Sequence, residues 1–513
     1  MPHLTPTPEQ LSIIDATQNQ STPLMISAYA GTAKTTTLQL AAPQITQPCL
    51  ALAFNKKIAE ELRPRLPYHF QVKTLNSLGH SAWAPLVPSR LTIDDRKLSK
   101  LVTQVAKDQK IHLTTSQWAE VRDLVSAAML AGISLRNEGS PLTEDTLDNW
   151  RDLFDGSSSD FSLTYDLARE TLHLSVQFAK SGTISFDDQI YMPTIFGGRF
   201  PKYPVVMIDE AQDLSPLNHR MLELVTGQRL IAVGDPKQAI YAFRGADSAS
   251  MANLRKLFPT WLDRPLTTTF RCPRRIVERQ QEHAPGFNAA SSCIDGLVDF
   301  GFSRSSGHDF FETSYWGIDD LRTAAREAGT DQITILCRNN APLLSFAFKL
   351  IRRGVGAFML GRDIGRGLEN LVKKLTPDES QKISHFLTRL ESWHDREIHN
   401  AIASDQPAKA ERIDDQYQCL LATVEGAQPS TVGDLLASLK NLFSRSDGKV
   451  LLSSIHRAKG LEWPLVVHLD PQRIPSKQAL RDPVQMEQEK NLLYVAETRT
   501  KNTLLNLALE DFR

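Results

Sequence analysis

An α/β fold built on parallel sheets is what this sequence predicts, and three observations carry it. An apolar run from Pro23 to Ala28 leads into a small-residue loop, and a segment of helical character opens at Lys34. A second apolar run, Val205 to Ile208, ends in two carboxylates, Asp209 and Glu210. Short apolar runs of this kind suit strands buried on both faces of a parallel sheet. The third observation is spacing: the chain between Lys34 and Asp209 is far longer than one strand–helix–strand unit needs, so an insertion must fill it.

The totals bound the class. A chain of 513 residues is enough for about three to four domains, each with its own core. Its composition, 41% apolar and 23% charged, is that of an ordinary globular protein. Lys plus Arg number 58 against 59 Asp plus Glu, a net charge of −1. A nucleic-acid partner would therefore need a local basic groove, since the balance itself supplies no attraction. The five cysteines (Cys49, Cys272, Cys293, Cys337, Cys419) form no C-x-x-C pair. Neither a disulfide framework nor a zinc site is expected, and a reducing cytoplasm, of a cell or a virus-infected cell, is. The opening stretch MPHLTPTPEQ lacks the charged and apolar regions of a signal peptide, and no run of about 18 apolar residues predicts a membrane span.

The loop, AYAGTAKTTT from Ala28 to Thr37, departs from the phosphate-binding pattern G-x-x-x-x-G-K-[ST]: Ala28 and Ala33 stand where glycines would be. Two readings stay open on this stretch alone, a nucleotide site written with unusual residues or a strand-to-helix turn with a solvated lysine. On the first, Ala30, Gly31, Thr32, Ala33, Lys34, Thr35 and Thr36 cradle phosphates with their amides at a helix N-terminus. Lys34 then reaches the β and γ phosphates, and the Thr35 hydroxyl takes a place on magnesium. Ala33 costs about 1 kcal/mol if its position requires a positive φ. The acidic strand end is the matching half of such a site. Asp209 holds magnesium through water, and Glu210 orients and deprotonates the attacking water. An exposed acidic strand end is the plainer alternative, but the two stretches together predict an ATPase or GTPase.

Further stretches follow in a fixed order: Gln10 in TPEQ, LAFNKKIAEEL (Leu52 to Leu62), TLNSLG (Thr74 to Gly79), MIDEAQD and AVGDPKQAIYAFRGA (Ala232 to Ala246). TTFRCP (Thr268 to Pro273), ILCRNNAPL, SSIHRAKGLEW (Ser453 to Trp463) and NLLYVAETRT (Asn491 to Thr500) complete the series. With the loop, they resemble the motifs of superfamily 1 DNA helicases of the UvrD/Rep/PcrA type, in that family's order and over almost the whole chain. GDPKQAIYAFRGA and HRAKGLEW are the most specific. Four residues depart from the family: Ala33 for glycine, Asn76 for histidine, Phe270 for tyrosine and Phe243 for tryptophan.

The resemblance implies two RecA-like parallel-sheet domains of the P-loop NTPase fold with one ATP clamped between them, and two mostly helical insertions. The first domain is residues 1–82 and 183–262, with an insertion at 83–182. The second is residues 263–374 and 449–513, with an insertion at 375–448, shorter than relatives commonly carry. RKLSKLVTQVAKDQ and SQWAEVRDLVSAAMLAGI in the first insertion have apolar residues at helical spacing, and SQKISHFLTRLESWHDREIHNAI and TVGDLLASLKNLF in the second read as helices.

By resemblance, Gln10 and Phe270 hold adenine, Gly460 and Glu462 approach the ribose, and Gln238 senses the γ-phosphate. Arg271 and Arg499 stabilise transferring charge on that phosphate. Phe54, Asn55, Thr74, Tyr241, Phe243, Arg244, Arg338, Asn339 and His456 form a single-strand track, its aromatics stacking on bases. The expected function is an ATP- and magnesium-dependent DNA helicase that moves 3′ to 5′ on single strands and acts at single-strand/duplex junctions. The alternatives are a translocase or motor subunit that unwinds weakly alone, and a nucleotide-gated binding module without turnover. A protein partner that regulates the motor is left open, and no membrane partner is expected.

Overall fold

The computed structural model describes residues 5–18, 21–53, 55–135, 138–154, 161–240, 249–299, 316–403, 407–444, 449–476 and 479–512. It divides into two compact units, residues 1–267 and 268–513.

The first unit is built on a six-stranded sheet in the order Phe70–Thr74, Cys49–Ala53, Tyr203–Ile208, Thr226–Gly234, Leu24–Ala28, Leu262–Leu266. Every pairing is parallel. All six strands therefore end on one edge, where open α/β sheets bind their ligands. Both predicted strands are central, and Thr226–Gly234 separates them. Alternate residues serve the two faces: Leu24, Ile26, Ala51 and Met207 enter one apolar cluster, and Met25, Leu50, Leu52 and Val206 the other.

The span between the third strand and Tyr203 carries the expected helices, Lys97–Asp108, Thr115–Leu130 and Phe161–Ser181. Their apolar faces form a cluster of their own, running from Trp83 to Ile195 with Leu217 added. A short parallel pair, Thr92–Ile93 against Thr183–Ile184, closes its base. Inside it lies an ion pair: Lys97 Nζ reaches Asp188 Oδ2 at 2.6 Å, with side chains 2% and 0% exposed. Lys97 also donates to the Ser175 carbonyl at 2.7 Å, while Asp188 accepts the Ser185 amide at 2.6 Å.

The second unit has its own six-stranded parallel sheet, in the order Leu297–Asp299, Thr500–Leu507, Trp463–Leu469, Ile333–Cys337, Val450–Ser454, Ala357–Met359. The helices Ile383–Ala403, Pro407–Ala427 and Val432–Ser444 occupy the second expected insertion. They are no separate body. Phe386, Leu390, Trp393, Leu420 and Leu439 share one continuous apolar cluster with Ile335, Leu452 and Val467 of the sheet. Gly426 permits the closest of these packings: a Cβ there would lie 2.2 Å from the Phe348 ring.

The opposite face of this sheet holds an acid-sensitive residue. His468 is buried and neither ring nitrogen has a hydrogen-bond partner. Burial, helped by the Arg279 charge, pulls its pKa from 6.5 to about 4. The folded state therefore keeps His468 neutral while the unfolded chain takes a proton below pH 6.5. Stability should be at its full value above that pH and fall by at most about 3 kcal/mol as pH drops to 4. Urea unfolding across pH 4–8 measures this, and His468→Leu should flatten that limb. An identical acid limb in the variant would assign the loss to other groups.

Candidate nucleotide-hydrolysis site

The loop after Leu24–Ala28 turns sharply at two positive-φ residues, Gly31 (φ 71°) and Ala33 (φ 59°, ψ 41°). Ala33 thus sits in the left-handed region that glycine occupies without strain and alanine does not. It caps the helix Lys34–Ala41, whose first turn has neither a side-chain cap nor an acidic residue. Thr32 ties the loop to itself by donating to the Tyr29 carbonyl at 2.9 Å. The unfilled N-terminal amides at Lys34, Thr35 and Thr36 suit a phosphate anion. If Ala33 carries strain of about 1 kcal/mol, Ala33→Gly should raise nucleotide affinity or turnover several-fold with the fold intact. Unchanged binding and turnover would show that the loop accommodates alanine.

Gln10 lies on the helix Pro8–Gln18, buried, and donates from Nε2 to Thr37 Oγ1 at 3.1 Å. Thr37 in turn donates to the Ala33 carbonyl at 3.0 Å, so the expected adenine reader is tied to the loop it serves. Arg229, itself buried, holds that helix by donating to the Ala16 and Thr17 carbonyls, each at 2.8 Å.

Asp209 directly follows the strand Tyr203–Ile208 and lies beside the loop. Its Oδ2 accepts from Thr35 Oγ1 at 3.3 Å and its Oδ1 from the Glu210 amide at 2.8 Å. Burial and the Glu210 charge push its pKa up to about 6, against the pull of Lys34 and these two hydrogen bonds. A buried carboxylate with so little compensation, next to a hydroxyl, suits magnesium, which takes few protein oxygens and keeps water and phosphate ligands. Glu210 is a second non-glycine residue in the left-handed region, at φ 55° and ψ 43°. Strain of this kind collects at functional sites.

Two residues beyond the sequence reading complete this cluster. Gln212 donates to Glu210 Oε2 at 2.6 Å and accepts the Asp235 amide at 3.0 Å. Asp235 accepts Gln238 Nε2 at 2.6 Å. The signal for Gln212 was its place two residues after the expected general base, but only folding brings the Asp235 turn to it.

The expected strand-binding residues of the first unit follow neighbouring strand ends. Ala53 pairs with Thr74, so Thr74 and, two residues past Ala53, Asn55 come at the ends of neighbouring strands. Each caps a helix, Asn55 accepting the Ile58 amide at 2.9 Å and Thr74 the Ser77 amide at 3.2 Å. Asn76, the family departure, donates to the Phe186 carbonyl at 3.1 Å, and the Phe186 ring is 59% exposed. The sequence reading did not single out this exposed aromatic. Phe54, Tyr241, Phe243 and Arg244 lie outside the described residues.

In the second unit, Thr269 accepts the Arg271 and Cys272 amides, each at 3.2 Å, and the intervening Phe270 ring is 45% exposed. Arg271 forms an ion pair with Glu462, which also pairs with Lys501 at 2.7 Å. Burial works against the charged form of Glu462, but Arg271 and Lys501 outweigh it and hold the pKa below its ordinary value. Gly460 turns the chain just before, at φ 85°. Arg499 is buried and donates to the Val495 carbonyl at 3.1 Å and the Leu461 carbonyl at 3.3 Å.

Arg338, Asn339 and His456 again follow adjacent strand ends, since Cys337 pairs with Ser454. Arg338 has partners other than the expected DNA. Its guanidinium is gripped by Glu489, at 2.6 Å from Nη2, and by Glu411 of the inserted helix Pro407–Ala427. As placed here it fastens the insertion, and a phosphate would have to displace two carboxylates. Asn339 stands at the N-cap position of the helix Asn340–Arg352 without a side-chain capping bond, and its Nδ2 donates to Glu411 Oε1 at 3.4 Å.

Two family models match the chain: the UvrD/REP helicase N-terminal domain over residues 7–259 and the UvrD-like helicase C-terminal domain over residues 368–509. F-box DNA helicase protein 1 of Schizosaccharomyces pombe is 23% identical over 536 residues, covering 97% of this chain and 57% of the relative. ATP-dependent DNA helicase UvrD2 of Mycobacterium tuberculosis is 27% identical over 349 residues, 58% of this chain and 46% of the relative. ATP-dependent DNA helicase PcrA of Leuconostoc citreum is 22% identical over 617 residues, 96% of this chain and 80% of the relative. The chain thus spans about half the length of the first two. Among the described residues, no helix is long and apolar enough to cross a membrane. With both halves of the family matched and its motifs set in order along two parallel sheets, the chain belongs to the UvrD-like helicases.

Proposed function

We propose that this chain hydrolyses ATP in response to single-stranded DNA, moves along that strand 3′ to 5′, and separates duplex at junctions. The observation that carries the reading is the cluster at one sheet edge: the uncapped helix at Lys34, Thr35 against buried Asp209, and Glu210 held by Gln212. In this reading Lys34 binds the β and γ phosphates and Gln10 and Phe270 bind adenine. Thr35 and Asp209 hold magnesium, which neutralises charge on the phosphates. Glu210 takes the proton of the attacking water, and Gln238, Arg271 and Arg499 respond to the γ-phosphate. Asn55, Thr74, Phe186, Asn339 and His456 contact the strand, Phe186 by stacking.

A second reading, a translocase or motor subunit of a larger complex, is favoured by the small second insertion that is part of the core. ATP hydrolysis with and without single-stranded DNA tests the enzyme itself. Duplexes carrying a 3′ or a 5′ single-stranded tail then separate the readings. Unwinding of the 3′-tailed duplex alone supports the helicase with its polarity. DNA-stimulated hydrolysis without unwinding supports the motor subunit, and no hydrolysis defeats both.

A further inference from the structure

We infer that Gln212 is a positioning residue for ATP hydrolysis, its side-chain amide holding the Glu210 carboxylate and tying it to the turn that carries Gln238. The inference rests on the hydrolysis reading above and adds the means by which one part of the site feels another.

Gln212 is buried in the short turn Ala211–Asp213. Its Nε2 donates to Glu210 Oε2 at 2.6 Å and faces Asp213 Oδ2 at 3.4 Å. On the other side its Oε1 accepts the Asp235 amide at 3.0 Å. These partners fix which way round the amide points. Flipped, it would set an oxygen against carboxylates and an NH2 group against an N–H donor.

A second, independent feature of the chain makes room for this arrangement. Gly234 ends its strand beside Gln212, and a Cβ there would lie 2.6 Å from Gln212 Oε1 and 3.1 Å from Gln212 N. A side chain at 234 would crowd the Gln212 amide and the Met251 sulfur, the latter at 2.9 Å. From Asp235 the hydrogen bonding continues: Oδ1 accepts the Lys237 amide at 3.0 Å and Oδ2 accepts Gln238 Nε2 at 2.6 Å.

An unbroken line of hydrogen bonds therefore joins the general base to the residue expected to sense the γ-phosphate. A shift of the Asp235–Gln238 turn reaches Glu210 through one side chain. Removing that side chain leaves Lys34, Thr35 and Asp209 in place, so the loss falls on the chemical step, not on nucleotide binding.

The test uses the full chain with ATP, magnesium and a saturating oligothymidine. Gln212→Met keeps the side-chain volume and removes both hydrogen bonds. Gln212→Glu keeps an acceptor for the Asp235 amide but sets a carboxylate against Glu210. Both should lower kcat at least about tenfold, with KM for ATP held within about twofold. Gly234→Ala, which alters no polar group, should lower kcat in the same direction. Wild-type kcat in a folded Gln212→Met or Gln212→Glu overturns the inference, as does a fall in kcat/KM that comes only from KM. A wild-type chain without hydrolysis, or Glu210→Gln with full turnover, overturns the underlying site as well. Normal hydrolysis, an inactive Glu210→Gln and a fully active Gln212→Met together defeat the relay alone.

Discussion

Glu210→Gln should bind ATP as the wild type does and hydrolyse it about 10²–10⁴-fold more slowly, the usual contribution of a positioned general base. The substitution is conservative for the fold. Glutamine bears the same left-handed backbone as glutamate at φ 55°, and its amide oxygen can still accept from Gln212. What it loses is the ability to take the water's proton. Lys34→Ala should instead lose binding and turnover together, because no other residue of the loop can set a cation on the transferring phosphate. Binding of a fluorescent ATP analogue measured beside steady-state hydrolysis separates the two. Wild-type turnover in Glu210→Gln would remove this residue from the chemistry.

The second large effect is on stability. Lys97→Ala should lower the unfolding free energy by about 3–5 kcal/mol, the cost of leaving one member of a buried ion pair uncompensated. The pair is 2% and 0% exposed, and Asp188 Oδ1 already lacks a partner. Without Lys97, the Asp188 charge would keep only the Ser185 amide. Burial pulls the Lys97 pKa down while Asp188 pushes it back up, and the balance is a lowered value. The pair is thus an expensive device. Replacing both members, as in Lys97→Met with Asp188→Leu, should recover much of the loss. Urea unfolding of the three chains measures this, and a single variant within 1 kcal/mol of wild type would mean that water reaches the pair.

Much of the fold was legible because its signals are local. The strand, loop and helix from Pro23 to Ala41 and the strand that leads into Asp209 each lie within about twenty residues, and parallel sheets follow from their apolar runs. The strain at Ala33 was legible only as a condition. The sequence shows alanine for glycine, and the backbone angle that makes it matter belongs to the folded loop. Partners far apart in the chain were not legible. Arg338 reads as a basic residue at a strand end, but Glu411 and Glu489 stand 73 and 151 residues away. The surroundings of Gln212 and Phe186 were not legible for the same reason: one depends on the Asp235 turn, the other on an exposure that only folding decides. Helical periodicity likewise gave the inserted helices of the second unit an apolar face without naming what that face meets.

That meeting has a consequence for how the second unit comes apart. With Phe386, Trp393 and Leu439 in the same apolar cluster as Ile335 and Val467, the insertion has no core of its own to retain once the sheet's is lost. A module of that kind melts with its host as one cooperative unit. Amide protons of the helices Ile383–Ala403 and Val432–Ser444 should then exchange in step with those of the Ile333–Cys337 strand, at one common free energy of opening. The insertion thickens the sheet's own core and has no independent melting transition to report.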